Sequence, residues 1–254
     1  MLKEYLLNIK IYLHADVRCI THAPLLAGLL LTFALGGCTN TDATRISAKD
    51  TMVAIPEMRV AVNFDHVKEA ASLHAGHAIE LSVTKGRGSA SQSLESGQAP
   101  ILVGQTKTTF TAPQQLRNEF AFTYSEIAWR RRMFFKEGRY GIEWSVGLGE
   151  STVDMKVSSD TQVATEKFIS PGIRGGAGLI YSMGHGNSFQ VRGFIFKSAE
   201  SSMNRVELVY TKTLLDNLRL RAGFGGGNIS GYNFLRSDYK FEFIGPLLAL
   251  DLEF

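Results

Sequence analysis

The chain has 254 residues, with 27 Lys and Arg against 24 Asp and Glu, a formal net charge of +3 and two cysteines. So even a balance, with no run of five like charges, argues against a nucleic-acid partner. Two cysteines, one of them inside the N-terminal leader described next, leave no pair for an intrachain disulfide, so packing and hydrogen bonds must hold the fold.

Pro24 to Leu35 (PLLAGLLLTFAL) is an apolar run preceded by Lys3, Lys10 and Arg18 and followed by Gly36-Gly37-Cys38. It is shorter than the about 20 apolar residues that a membrane-crossing helix needs, and has the layout of a secretory signal. Leu35-Gly36-Gly37-Cys38 resembles the lipobox of bacterial lipoproteins. That resemblance implies a signal peptide over residues 1–37, removed to leave a diacylated Cys38. Because Thr39 rather than aspartate follows the cysteine, it also implies the outer membrane of a Gram-negative bacterium as the address.

Residues 39–56 (TNTDATRISAKDTMVAIP) are small and polar without a sustained period, and read as a tether. Together with a short helix over about 65–73, they predict a periplasmic segment spanning 38–76. From residue 77 onward, apolar and polar residues alternate. The clearest case is 139–157, where Tyr140, Ile142, Trp144, Val146 and Leu148 interleave with Gly141, Glu143, Ser145, Gly147 and Gly149. Successive strand side chains point to opposite faces, so this spacing predicts a strand with one apolar face.

The same pattern recurs at 77–88, 119–135, 168–183, 188–199, 204–214, 218–228 and 239–254. Tight joins near Glu137-Gly138, Gly184–Asn187 and Asp216-Asn217 alternate with mostly longer ones near 89–118, 158–167, 200–203 and 229–238. Eight segments joined with this long and short parity predict an all-β, antiparallel, up-and-down barrel over 77–254 with both termini at the tight-turn end. If Arg59–Phe64 and Ile101–Thr111 were strands too, the count would be ten. Phe241 and Phe243 fall on the opposite parity from Leu248, which predicts a bulge near Gly245-Pro246.

One face of these segments collects Glu80, Glu143, Arg174, Arg192, Glu207, Arg219, Arg221, Asp251 and Glu253. Turned inward, this near-balanced set can pair across a narrow lumen. So built, the chain resembles the small outer-membrane barrels of the OmpA and OmpX type. The final Leu248, Leu250, Leu252 and Phe254 are similar to the C-terminal signal read by the barrel-assembly machinery. The partners this resemblance implies are that machinery, outer-membrane lipids and lipopolysaccharide.

Trp129, Arg130, Arg131, Arg132, Phe134, Phe135, Lys136 and Arg139 read as an interfacial girdle around the first tight turn. Lys85, Arg87, Lys156, Lys197, Arg205, Arg236 and Lys240 read as charges of the opposite rim.

Chemistry is sparse. Outer-membrane barrels that deacylate or palmitoylate lipid A keep a serine and a histidine near the outer leaflet. Here His66, His74, His77 and His185 are the histidines after the leader, and all fall at the periplasmic end of the predicted topology. Ser182 to Ser188 brings serine and His185 together without an acidic orienter, in ordinary turn composition. His66, His74 and His77, with Asp65 and Glu69, return to one helical face, but Gly76 interrupts it before His77. The Gly223–Gly227 run lies inside a strand pattern and precedes no helix, as a phosphate cradle would.

No catalytic residue, metal or cofactor is therefore expected. The work implied is structural, or surface interaction with an external partner through loops such as 89–118. The alternatives are a periplasmic lipid-anchored barrel of lipocalin kind, with Tyr140, Trp144, Leu179, Leu208 and Leu220 lining an apolar ligand site, and an outer-leaflet lipid-modifying enzyme. Replacing Cys38 with alanine is expected to abolish incorporation of a labelled acyl chain, and label that persists would remove the anchor.

Overall fold

A computed structural model of the chain describes residues 46–64, 75–104, 108–135, 138–231 and 238–254, and in these every regular element is a strand. In chain order they are β1 (Ile46–Met52), β2 (Ile55–Asn63), β3 (Gly76–Leu94), β4 (Ile101–Val103), β5 (Thr108–Phe110), β6 (Gln114–Phe135), β7 (Tyr140–Ser158), β8 (Val163–Gly184), β9 (Asn187–Ser198), β10 (Ser201–Leu215), β11 (Leu218–Gly231) and β12 (Tyr239–Glu253). β4 and β5 pair only with each other, while the rest form one sheet ordered β1-β12-β11-β10-β9-β8-β7-β6-β3-β2. β12 also pairs with β2, so the sheet closes into a ring.

Closure differs from the expected pattern in number and in direction. The eight segments predicted from alternation correspond to β3 and β6 to β12, but a ninth stave comes from 46–63, where a periplasmic tether was expected and only 59–64 was offered as an alternative strand. β1 and β2 lie end to end along β12, pairing in parallel with Tyr239–Ile244 and Leu247–Glu253 respectively. The composite stave escapes a period-two reading because the β1 register shifts between Ala48 and Thr51. That extra residue changes the phase of buried positions from Ile46 and Ala48 to Thr51, Val53 and Ile55. Ile101–Val103 and Thr108–Phe110 do form strands, but as a hairpin within the longest loop and not as a stave. The helix expected over 65–73 and the leader with Cys38 lie outside the described residues.

Parallel closure sets the ends. β12, β1 and β2 all run from the end carrying the 95–113 loop to the end carrying the tight β6–β7, β8–β9 and β10–β11 connections. Ile46 therefore starts at the loop end, opposite Phe254, and the first stave does not begin beside the last one's finish. Following paired residues once round the ring from Ala48 leads through Phe241, Ile229, Met203, Phe196, Arg174, Gly147, Ala128 and Glu80 back to Ala61. A closed sheet with such a stagger tilts its strands by about 40°.

The ring interior has two zones. Toward the loop end it is packed with Ile46, Val53, Phe120, Phe122, Met155, Phe168, Phe196, Tyr239, Phe241 and Phe243. Ile101, Val103 and Phe110 of the β4–β5 hairpin, all at most 1% exposed, join this cluster and cap it. Toward the tight-turn end the interior is charged.

β7 passes through both zones without changing phase. Its inward residues run Glu143, Ser145, Ser151, Val153, Met155, Val157, while its outward ones run Tyr140, Trp144, Val146, Leu148, Glu150, Asp154, Lys156. β12 does the same, which removes the bulge expected at Gly245-Pro246. Its register with β11 is unbroken from Leu252 to Tyr239, with Phe241 and Phe243 inward and Leu248 and Leu250 outward. The change of parity in the sequence marks a change in which face is apolar. Pro246 is tolerated where β12 passes from β1 to β2, a gap in the ladder that asks for no amide there.

In the apolar zone Phe120 and Phe241 stack with centroids 4.3 Å apart and planes 4° from parallel. Phe241→Ala is expected to cost about 3–5 kcal/mol, by lost transfer energy and the cavity left behind. Urea titration of the folded fraction measures it, and a loss below about 1 kcal/mol would contradict this packing.

Candidate functional site

Strand parity builds the charged zone. Each of the nine staves places at least one ionic residue on its inner face near the tight-turn end. These are Glu57 and Arg59 on β2, Glu80 on β3, Glu126, Arg130 and Arg132 on β6, Glu143 on β7, Arg174 on β8, Arg192 on β9, Arg205 and Glu207 on β10, Arg219 and Arg221 on β11, and Asp251 and Glu253 on β12. All are less than 9% exposed. Their bulk fits because inward positions on the neighbouring staves are glycine. A Cβ at Gly178 would lie 3.0 Å from Arg192 Cγ, and one at Gly149, where the zones meet, 2.5 Å from the Tyr124 hydroxyl oxygen.

The ion pairs join into one network. Glu57 receives Arg59 (2.6 Å), Arg205 (3.0 Å) and Arg221 (3.1 Å). Arg59 and Arg130 meet on Glu80 at 3.1 and 3.0 Å, and Arg192 bridges from Glu143 (3.0 Å) toward the same carboxylate (3.7 Å). Arg205 and Arg221 share Glu207 at 2.7 and 3.0 Å, and Arg221 reaches Asp251 at 3.5 Å. Glu253 collects Arg130, Arg132 and Arg219, and Arg132 ties back to Glu143 at 2.6 Å. Several of these contacts span non-adjacent staves, such as β10 to β2 and β6 to β12, so the network braces the ring across its bore.

Arg174 stands apart, ion-paired with Glu126 at 2.9 Å and donating a hydrogen bond to the Ser145 hydroxyl. Arg174 and Arg205 also lie 5.5 and 5.6 Å from the Phe194 centroid, where ionic and aromatic zones meet. Every buried cation among the described residues is arginine. Its planar fork can serve two carboxylates at once, which a lysine ammonium does less well.

All nine charges named from the sequence lie inside the ring, eight of them in the connected network and Arg174 beside it. Six partners were missed. Glu57 and Arg59 sit on β2, of which the sequence offered 59–64 as a strand only in the ten-strand alternative, and Glu126 stands just where β6 changes from aromatic to ionic lining. Arg130 and Arg132 were grouped with the girdle and Arg205 with the rim, yet all three are buried. The alternation that could have separated them is in Arg130-Arg131-Arg132 itself, where the outer two face in and Arg131 faces out. Lys136 and Arg236 lie outside the described residues.

Leu248, Leu250, Leu252 and Phe254 share the outer face of β12, and the Phe254 amide donates to the Ala61 carbonyl at 2.9 Å. His185 is at the tip of the β8–β9 turn with φ of 51°, between the cross-strand partners Ser182 and Ser188. His77 stacks on Trp129 at 5.1 Å, and His66 and His74 lie outside the described residues. Among the described residues, no three His, Cys, Asp or Glu side chains are grouped to hold a metal.

A second feature is the seam between β1 and β3. Above Thr84, β3 has a ladder only with β6, and β1 has one only with β12. In place of a β1–β3 ladder, the Ser47 amide donates to Gln92 Oε1 (3.1 Å), and Asn118 Nδ2 donates to the Ser47 carbonyl and to Gln92 Oε1, both at 2.8 Å. No family model, curated protein or solved structure matches this chain.

Glu57→Gln leaves three guanidinium groups short of a charge and is expected to cost about 3–5 kcal/mol, the usual penalty for breaking a buried ion pair from one side. Urea midpoints of the two proteins provide the measure, and equal midpoints would mean that the network is solvated.

Proposed function

We propose that this chain is a non-enzymatic β-barrel of the bacterial outer membrane, carrying an N-terminal lipid and serving a structural or surface-interaction role. The observation that carries the reading is the exchange of polarity between the two faces within single strands. Around the charged zone the outer wall is apolar, with Leu81, Ile127, Trp144, Val146, Leu148, Leu179, Val191, Leu208, Phe224, Leu248 and Leu250 all at least 36% exposed. A water-soluble protein rarely exposes a continuous apolar surface of more than a few hundred Å². A lipid-facing wall over a polar interior is what a spanning barrel requires.

Length agrees. Tyr140 to Leu148 rises about 27 Å along the strand, or about 20 Å along an axis tilted by 40°, and the side chains at its two ends extend it toward the about 25 Å apolar band of such barrels. Beyond Leu148 the wall reverts to the polarity of a protein in water. Glu150, Asp154 and Lys156 face out, and Val153, Met155 and Val157 face in. The barrel thus stands clear of the outer leaflet as an aromatic-filled extension capped by the β4–β5 hairpin. A plugged bore of this kind offers a rigid platform for loops and no pore.

The lipocalin-like alternative needs Tyr140, Trp144, Leu179 and Leu208 to line a cavity. They point outward instead, as does Leu220 between the inward Arg219 and Arg221, and at their level the interior holds ions. Catalysis gains no support from Ser182–Ser188, a tight turn whose two serines point into the ring and whose histidine sits at its tip. The partners that fit are outer-membrane lipids and lipopolysaccharide around the wall, and the barrel-assembly machinery at the final β12 residues.

Val146→Arg is expected to cost about 2–4 kcal/mol when folding is measured in lipid, because the side chain meets the bilayer interior. Thr152→Arg, outward on the same strand but above the band, is expected to change stability by less than about 0.5 kcal/mol. Equal effects would refute the membrane level assigned to β7. Native protein is expected to resist carbonate and urea extraction and to show heat-dependent gel mobility.

A further inference from the structure

We infer that the chain enters this barrel from the loop side, so that a lipid on Cys38 is held by the outer leaflet at the cell surface and not from the periplasm. The inference rests on the spanning reading above and adds a topology to it. β1 and β2 run parallel to β12, and Ile46, the first described residue, lies at the end that carries the β4–β5 hairpin.

Covalent reach then decides the side. Cys38 is eight residues upstream of Ile46, a span of at most about 28 Å fully extended. From Ile46 to Asn63, where the composite stave reaches the tight-turn end, the axial distance is about 40 Å. Even a straight chain along the outer wall would stop short of the tight-turn surface. Such a path would also draw the polar sequence TNTDATR across the apolar band, with backbone groups that no lipid can satisfy.

The loop-side route meets neither obstacle. The outer face of the composite stave is polar at Lys49 and apolar from Met52, 69% exposed, through Met58 and Val62. Ile46 therefore stands about 15 Å above the band. Eight residues are enough to return acyl chains to the outer leaflet beside the barrel. A lipid there has a distinct task. It tethers the first stave at the level where β1 and β3 share no backbone ladder and the Ser47 backbone is bonded to the Gln92 and Asn118 amides.

The test uses single cysteines in the full-length, lipidated protein, since Cys38 carries the lipid and Cys19 leaves with the leader. Ala43→Cys probes the entering segment, Glu200→Cys the loop end and Asp216→Cys the tight-turn end. Each is exposed to a membrane-impermeant maleimide in intact and in lysed cells, and heat-dependent mobility confirms that each variant is folded. Ala43→Cys and Glu200→Cys are expected to label in intact cells to the same extent, with Asp216→Cys labelling only after lysis. Labelling of Glu200→Cys with protection of Ala43→Cys would overturn the inference and leave the spanning barrel standing. Protection of both Glu200→Cys and Asp216→Cys in intact cells would remove the spanning reading, and this inference with it. Labelling of Asp216→Cys with protection of Glu200→Cys would invert the barrel and overturn the entry side.

Discussion

The rest of the structure depends on eight arginines that are buried without being neutralised by water. A guanidinium removed from solvent costs several kcal/mol unless carboxylates surround it in good geometry. Glu57, Glu80, Glu126, Glu143, Glu207, Asp251 and Glu253 provide that geometry only if all nine staves hold their register. A slip of one residue on any stave would turn its charge outward and an apolar side chain inward. The network thus adds specificity to a sheet whose backbone ladder alone would accept several pairings. It also fills the bore, so the interior needs no aqueous channel to be stable.

Much of this was legible in the sequence, for a definite reason. Period-two alternation survives in β3 and β6 to β12 because each stave separates two unlike environments along its whole length. What alternation does not reveal is that the environments trade places. Val153, Met155 and Val157 are apolar on the parity opposite to Trp144 and Leu148. With one apolar face assumed per strand, such a change reads as a bulge, as at Phe241 and Leu248. The real bulge, between Ala48 and Thr51, hid a stave instead. Sequence periodicity records phase and polarity together, and only a register of partners separates them.

The same separation explains which charges were found. Residues such as Glu143 and Arg221 stand between small or apolar neighbours on a recognised strand, so their inward parity was visible. Arg130 and Arg132 were obscured by Arg131 between them, and Arg205 by its place near a rim. Glu57 precedes the candidate strand 59–64 and Arg59 opens it, so neither stood inside an alternating run that would show its parity. Leader, lipid and address rest on the resemblance carried by Leu35 to Cys38, a separate line of evidence from the fold.

The seam beside β1 has a mechanical meaning. Where neighbouring staves share a ladder, widening the ring means breaking backbone hydrogen bonds along it. Between β1 and the upper part of β3 no backbone ladder runs, and the Ser47 backbone is bonded there to the Gln92 and Asn118 amides, while below Thr84 the lacing through β2 is complete. The tube therefore resembles a cuff slit along part of one side. Its lower circumference is laced all round, and its give lies at the upper end, where β1 and β3 run side by side without a ladder.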